Sequence, residues 1–247
     1  MTVKPSVESH VNSSSTFDGR VWWLRGVCLS VMIILVVGGI TRLTGSGLSM
    51  VDWRPVSGIL PPIGEAAWAM EFAQYKESPQ YKLVNQGMSL GEFQYIFFWE
   101  YLHRVLGRVV GLVCLIPYLW FLLRGKLDRG LKLKGGLLVL LVGAQGFMGW
   151  YMVKSGLVKD PEVSHFRLAA HLSLAFAIFG LAWWASLRLS QRAETGRVTP
   201  PPCYRNWAVV LLAVLCLQII YGAFTSGMKA GYGFNTYPLM GGELMPQ

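Results

Sequence analysis

The chain has 247 residues, 53% of them hydrophobic and only 14% charged, with a formal net charge of +9. An average soluble domain carries roughly 25% charged residues, so a water-soluble globule, a disordered segment and a disulfide-stapled mini-domain are excluded. What remains is an all-α integral membrane protein, whose scattered Lys and Arg read as topology signals and not as a nucleic-acid stripe.

A bilayer core about 30 Å thick needs about 20 apolar residues in helix. The tail before Arg20 holds Glu8 and Asp18 and no Arg-rich amphipathic pattern, so no transit peptide is expected. A cleaved signal peptide is not expected either, because no small-residue cleavage site follows the first apolar run. That run, Val21–Leu43, opens on Trp22 and Trp23, an interfacial anchor. A long loop, 44–92, follows; Trp68, Phe72 and Tyr75 at helical spacing predict a short amphipathic helix lying on the membrane surface. The second span, Val105–Leu123, carries Pro117, which should kink it without ending it. Leu137–Val153, Leu168–Leu187 and Trp207–Thr225 complete five spans. Twelve Lys and Arg lie on the side of the N-terminus and eight, spread over longer loops, on the other. The positive-inside rule therefore puts the N-terminus in the cytoplasm and the loop 44–92 outside.

Gly38-Gly39-Ile40-Thr41 near the end of the first span is echoed by Gly222-Ala223-Phe224-Thr225 near the end of the fifth. The echo continues at nearly constant offset, pairing Gly47 with Gly231, Pro55 with Pro238, Gly58 with Gly241 and Pro62 with Pro246. Such spacing implies a four-helix unit repeated in tandem. The expected organisation is a cytoplasmic tail (1–20), a complete four-helix half (21–205) and the opening helix of an incomplete second half (206–247). The sequence is accordingly expected to be a truncated piece of a longer chain.

Cys28, Cys114, Cys203 and Cys216 form no C-x-x-C and read as small hydrophobes, not as a zinc site or disulfide framework. Of the four His, His10 lies in the polar tail. At about 1.5 Å per residue, His103 in the second span and His171 in the fourth both fall near the outer face of the bilayer. Two imidazoles from different helices at one level make a bis-His clamp for a haem iron; the plainer alternative for each is a hydrogen-bonded interfacial His. Depth alone leaves His165 level with His171. Position favours His171, which lies inside the apolar run, whereas His165 follows Pro161-Glu162 at its mouth.

Glu100 precedes His103 by three residues and shares its helix face. A di-iron site is excluded because it needs a second Glu-x-x-His and two further Glu. The carboxylate is read as one that handles protons or stabilises positive charge beside the haem, the alternative being a solvated helix-entry group. Arg42, Arg104 and Arg167 reach the same outer boundary, where Arg forks can bind haem propionates. Arg167, four residues from His171, is the best placed of the three; ordinary snorkelling is the alternative for each.

Four segments carry a family resemblance: Gly38 to Trp53 (GGITRLTGSGLSMVDW), Glu100 to Arg104 (EYLHR), Gly149 to Leu157 (GWYMVKSGL) and Arg167 to His171 (RLAAH). Together they resemble the haem A synthases, from about Trp22 to Pro246. The resemblance implies an eight-helix membrane protein of two pseudo-symmetric halves, each with its own His pair. It implies oxidation of a ring methyl of haem O to a formyl group, giving haem A for cytochrome oxidase. The N-terminal half would hold the substrate haem between His103 and His171, with an essential Glu100, and the C-terminal half a haem B for electron transfer. The absence of Cys between Thr44 and Glu92 resembles the family's cysteine-free branch. The implied partners are haem O synthase and other cytochrome oxidase assembly factors, a ferredoxin-type electron donor, membrane lipid and further copies of the chain, but no nucleic acid. The implied location is a bacterial inner membrane in preference to a mitochondrial one. Two other classes are weighed: a bis-His haem-b electron carrier, which needs no Glu100 beside its haem, and a transporter, disfavoured because the polar groups gather at the outer level and not at the midplane.

Overall fold

The computed structural model describes residues 18–52, 57–156, 161–191, 201–233, 236 and 239–244. Of the residues singled out above, Glu8, His10, Trp53, Pro55, Leu157, Pro238 and Pro246 lie outside the described residues, as do Lys4, Arg54, Lys159, Arg192 and Arg197 among the Lys and Arg counted there. In chain order the helices are α1 (Gly19–Leu43), α2 (Glu65–Lys76), α3 (Pro79–Leu83), α4 (Leu90–Leu123), α5 (Arg129–Gly156), α6 (His165–Gln191), α7 (Pro202–Gly227) and the short α8 (Ala230–Gly233), with a 3-10 turn at Ser57–Ile59. Among the described residues five of these, α1 and α4 to α7, are long and apolar enough to cross a membrane. The protein is an all-α integral membrane protein.

Each helix outruns its apolar stretch, because flanking polar residues continue the backbone hydrogen-bond ladder beyond the hydrocarbon. Asp18 caps α1 by accepting from Arg20 N at 2.9 Å, and Arg20 Nη1 donates to the Lys126 carbonyl at 3.0 Å, tying the start of α1 to the turn after α4. The extension is greatest in α4. Its 34 residues make about 50 Å of helix against a bilayer core of about 30 Å, and the excess over its apolar run lies at the N-terminal end. A capping box starts it there: Ser89 N donates to Glu92 Oε2 at 2.8 Å and Glu92 N to Ser89 Oγ at 3.3 Å. The first long loop is thus 44–89, slightly shorter than expected. At the other end α4 runs unbroken through Pro117.

α1 packs on α4 and α6, and α5 packs on the same two helices. The four helices therefore form a square in which α4 and α6 are diagonal partners, with α7 outside against α6. The core between them is built from Leu24, Val27 and Val31 of α1, Cys114 of α4, Leu138 of α5 and Ala182 of α6. Small residues let the helices close up: a Cβ at Gly135 would stand 2.6 Å from the Tyr118 ring.

The short amphipathic helix expected around Trp68, Phe72 and Tyr75 is α2, and its aromatic face packs on the N-terminal end of α4: Phe72 and Tyr75 each stack on Phe93 with centroids 5.0 Å apart, and Trp68 meets Phe97 edge-on at 5.1 Å. Tyr75 and Phe93 are fully buried. Large aromatic side chains bury much apolar area against such a partner.

The internal repeat is visible in the backbone. Thr41 Oγ1 donates to the Val37 carbonyl and Thr225 Oγ1 to that of Tyr221, both at 2.9 Å. α1 ends on Thr44 at φ −84°, ψ −2°, and α7 on Met228 at φ −85°, ψ −1°. The next residues, Gly45 and Lys229, both take positive φ, 67° and 52°. Lys229 thus holds a conformation that suits the glycine of the first copy, and its ammonium meets Glu162 at 2.5 Å. α7 comes close to α6 at Gly227, where a Cβ would stand 2.7 Å from the Cα of His165. Gly227→Ala must therefore push α7 off α6, at a cost of about 1–3 kcal/mol, measured as a lower midpoint of thermal unfolding in detergent.

Candidate functional site

The N-terminal end of α4 and the first residues after α1 meet around one buried carboxylate. Glu100 is 3% exposed and Ser49 is 2% exposed, so Glu100 is not a solvated helix-entry group. Its Oε2 accepts from Ser49 Oγ at 2.7 Å and from Met50 N at 2.8 Å. Its Oε1 accepts from Arg104 Nη2 at 2.6 Å, a charge-assisted pair one helical turn apart. Arg104 reaches on to the same loop, donating to the Met50 carbonyl at 2.9 Å and the Asp52 carbonyl at 3.2 Å. Glu100 and Arg104 together bind donors and carbonyls of the segment 49–52 and hold it to α4.

The loop is fastened a second time from α2 and α3. Gln80 Nε2 donates to the Gly45 carbonyl at 2.8 Å, Tyr75 OH to Gln80 Oε1 at 3.0 Å, and Asn85 Nδ2 to Tyr75 OH at 2.7 Å. Burial pushes the Tyr75 phenol above its ordinary pKa, so it stays a neutral donor.

One turn below Glu100, the His103 ring lies against α1 at Gly38, where a Cβ would stand 2.9 Å from its Cε1. On the diagonal helix, the Cε1 of His171 stands 3.5 Å from where a Cβ of Gly149 would be. The two imidazoles lie within electrostatic reach of each other. The Nδ1 atoms of both are buried and have no hydrogen-bond partner. A buried polar nitrogen left unpaired costs about 1–3 kcal/mol, and two such atoms facing a bundle interior belong to a site that a ligand completes. The residues thus fit a haem held between two helices: neutral imidazoles, glycines that spare the space beside them, and unsatisfied ring nitrogens.

The remaining candidates separate. His165 is not part of this pair; its ring packs on Phe166 and edge-on against Phe224 at the α6–α7 joint, with centroids 4.1 and 5.7 Å away. Arg42 donates to the carbonyls of Ser226 at 2.6 Å and Gly227 at 3.0 Å, closing the last turn of α7. Ser226 is its own repeat counterpart, so the two copies touch at equivalent positions. Arg167 lies over the Tyr151 ring, 4.5 Å from the centroid. An apolar groove of about 420 Å³ between α1 and α4, lined by Trp22, Trp23 and Pro117, lies at the opposite end of the bundle and is no part of this site.

Two participants escape the motif reading. Ser49 stands inside a quoted segment without any sign of its role. Gln145 of α5 donates its amide to the His171 carbonyl at 3.1 Å and lies 3.3 Å from His171 Nε2. The signal for it was a lone amide inside the otherwise apolar run Leu137–Val153.

Residues 21–247 match the cytochrome oxidase assembly protein family. The chain belongs to that family. Among its relatives, the haem A synthase of Parvibaculum lavamentivorans is 44% identical over 246 residues, covering 100% of this chain and 71% of that protein. The haem A synthase of Rhodospirillum centenum is 47% identical, covering 100% and 65%, and that of Nitrosospira multiformis 48% identical, covering 91% and 63%. The chain thus spans about two thirds of the length of such family members. No solved structure matches it.

For this member of the family, Arg104→Ala is expected to leave the buried Glu100 charge unmatched, destabilising the protein by about 3–5 kcal/mol. Faster amide hydrogen exchange at residues 46–52 would report it, and adding Glu100→Gln should recover part of the loss.

Proposed function

We propose that His103 and His171 hold a haem and that this chain forms the substrate-binding part of a haem A synthase, which oxidises a ring methyl of haem O to a formyl group to make haem A for cytochrome oxidase. The observation that carries this reading is the pair of buried imidazoles on diagonal helices, each beside a glycine and each with an unpartnered Nδ1. The names and identities of the relatives support it. When bound, the haem supplies the redox chemistry at its own ring edge; the chain binds it, orients it and handles protons nearby.

His103 and His171 would hold the haem iron between α4 and α6. Glu100 is the proposed catalytic carboxylate. Arg104 already matches its charge, so its part is to take or deliver a proton, with Ser49 Oγ as the adjoining donor at 2.7 Å. Arg167 is the leading propionate partner. Arg42 and Arg104 would each have to give up main-chain carbonyls that they already hold. A haem B for electron transfer is assigned to the second half that longer relatives have room for. The proposed setting is a bacterial inner membrane with the N-terminus in the cytoplasm. Haem O synthase, other assembly factors and a ferredoxin-type donor are the proposed partners, and self-association is proposed as well.

Purified protein is expected to carry haem with a low-spin bis-His absorption spectrum, and His103→Ala or His171→Ala should abolish it. A low-spin spectrum surviving in either variant would remove the ligand assignment. In full-length enzyme Glu100→Ala should leave haem bound while haem A formation, followed by mass spectrometry of the extracted pigment, stops; normal turnover would remove its catalytic role.

A further inference from the structure

The end of the bundle away from the imidazoles carries features that the haem reading does not use. There α1 and α4 leave an apolar groove of about 420 Å³, lined by Trp22, Trp23, Gly26, Val113, Ile116 and Pro117. Two residues open it. Pro117 has no N–H, so the Val113 carbonyl one turn back loses its helical donor. Trp23 Nε1 takes that place at 3.1 Å, which pins the indole as the inner wall. Gly26 leaves the floor empty, for a Cβ there would meet nothing within 4 Å. Trp22 and Ile116 are exposed, so the groove opens outward from the four helices. It runs about 6–8 Å along the helix axes, enough for the first few carbons of an acyl chain below a headgroup.

The mouth of this groove is cationic on both sides. On α1 the Arg25 guanidinium lies over the Trp22 ring, 5.5 Å from its centroid. At the end of α4, Arg124 and Lys126 lie over the Trp120 ring at 5.9 and 4.8 Å. Trp120 stands one turn beyond Ile116, so it continues the same helix face. Among the described residues none of these three cations forms a salt bridge, and Arg25 Nε is buried with no hydrogen-bond partner. The nearby carboxylates act on a fourth cation: Asp18 pairs with Arg20 at 2.8 Å, and Asp128 lies within electrostatic reach of the same Arg20. Aromatic rings topped by unpaired cations at the end of an apolar run suit the headgroup level of a membrane, where they complement acidic lipid.

We propose that this groove seats one anionic phospholipid. The first carbons of an acyl chain lie on Gly26 and Pro117 against the Trp22 ring, and the acidic headgroup lies among Arg25, Arg124 and Lys126. The lipid bridges α1 and α4 at the end where Arg20 already joins them through the Lys126 carbonyl. No covalent step is involved, and the proposal is independent of the haem reading.

The test uses the whole chain in detergent, given equal amounts of phosphatidylglycerol and phosphatidylcholine with the same acyl chains and read by native mass spectrometry. The parent chain should retain phosphatidylglycerol about tenfold more than phosphatidylcholine, the scale of one or two cations at a lipid surface. Arg25→Gln should cut that preference several-fold. Gly26→Leu fills the groove without a clash at its Cβ and should release the retained phosphatidylglycerol, while its midpoint of thermal unfolding without added lipid stays near the parent value. Phosphatidylglycerol should raise the midpoint of the parent and leave that of Gly26→Leu unmoved. If Gly26→Leu does not fold, Arg25→Gln combined with Arg124→Gln decides, and the preference should vanish. Equal retention of the two lipids by the parent, or a parent-like preference in Gly26→Leu or in the double variant, would overturn the proposal.

Discussion

A carboxylate buried among helices has to be matched by partners in the protein, and the matching of Glu100 organises this end of the molecule. Arg104 supplies the opposite charge from the next turn of α4, while Ser49 and Met50 supply neutral donors from the loop. Taking charges out of water is costly, and a buried pair is tolerated only when its remaining hydrogen-bonding capacity is filled. The segment 49–52 fills it with two donors to Glu100 and two carbonyls to Arg104. The loop is therefore as much a part of the ion pair as the helix is, and its path over the bundle follows from that.

The same rule explains the contrast one turn lower. Around His103 and His171 the partners are incomplete: two Nδ1 atoms and Gln145 Oε1 are buried and unpaired. Gly38 and Gly149 belong to the same region, for each sits beside one of these two imidazoles. Diagonal placement of α4 and α6 then lets the two rings approach across the bundle without their helices touching.

The repeat has its own physical expression in Arg42. Its guanidinium closes the carbonyls at the end of α7, at the residue that corresponds to itself. α1 and α7 end in matching caps and matching left-handed residues, so the join between copies is made by like elements meeting at their outer ends. Only one face of α7 is covered, by α6, while Trp207, Leu211 and Tyr221 are exposed, as a helix in lipid or against further helices requires.

Hydropathy, loop charge and the four motif segments were enough to determine the membrane class, the number of spans among the described residues, the family and the short set of chemistry-bearing residues. Those properties are local: twenty apolar residues partition into lipid whatever their neighbours do, and EYLHR puts Glu100 and His103 on one helix whatever it packs against. Partner choice was not legible, because it depends on residues far apart in the chain. Only the tertiary structure turned Arg42 to α7 and Arg104 to the loop, set His165 against Phe224, drew the aromatic face of α2 onto α4 and brought Gln145 to His171. The length of α4 decided much of this. A helix that continues about four turns beyond its apolar run gives the loop 44–89 a protein surface to fold on, and no window of hydropathy records what a helix end will be packed against.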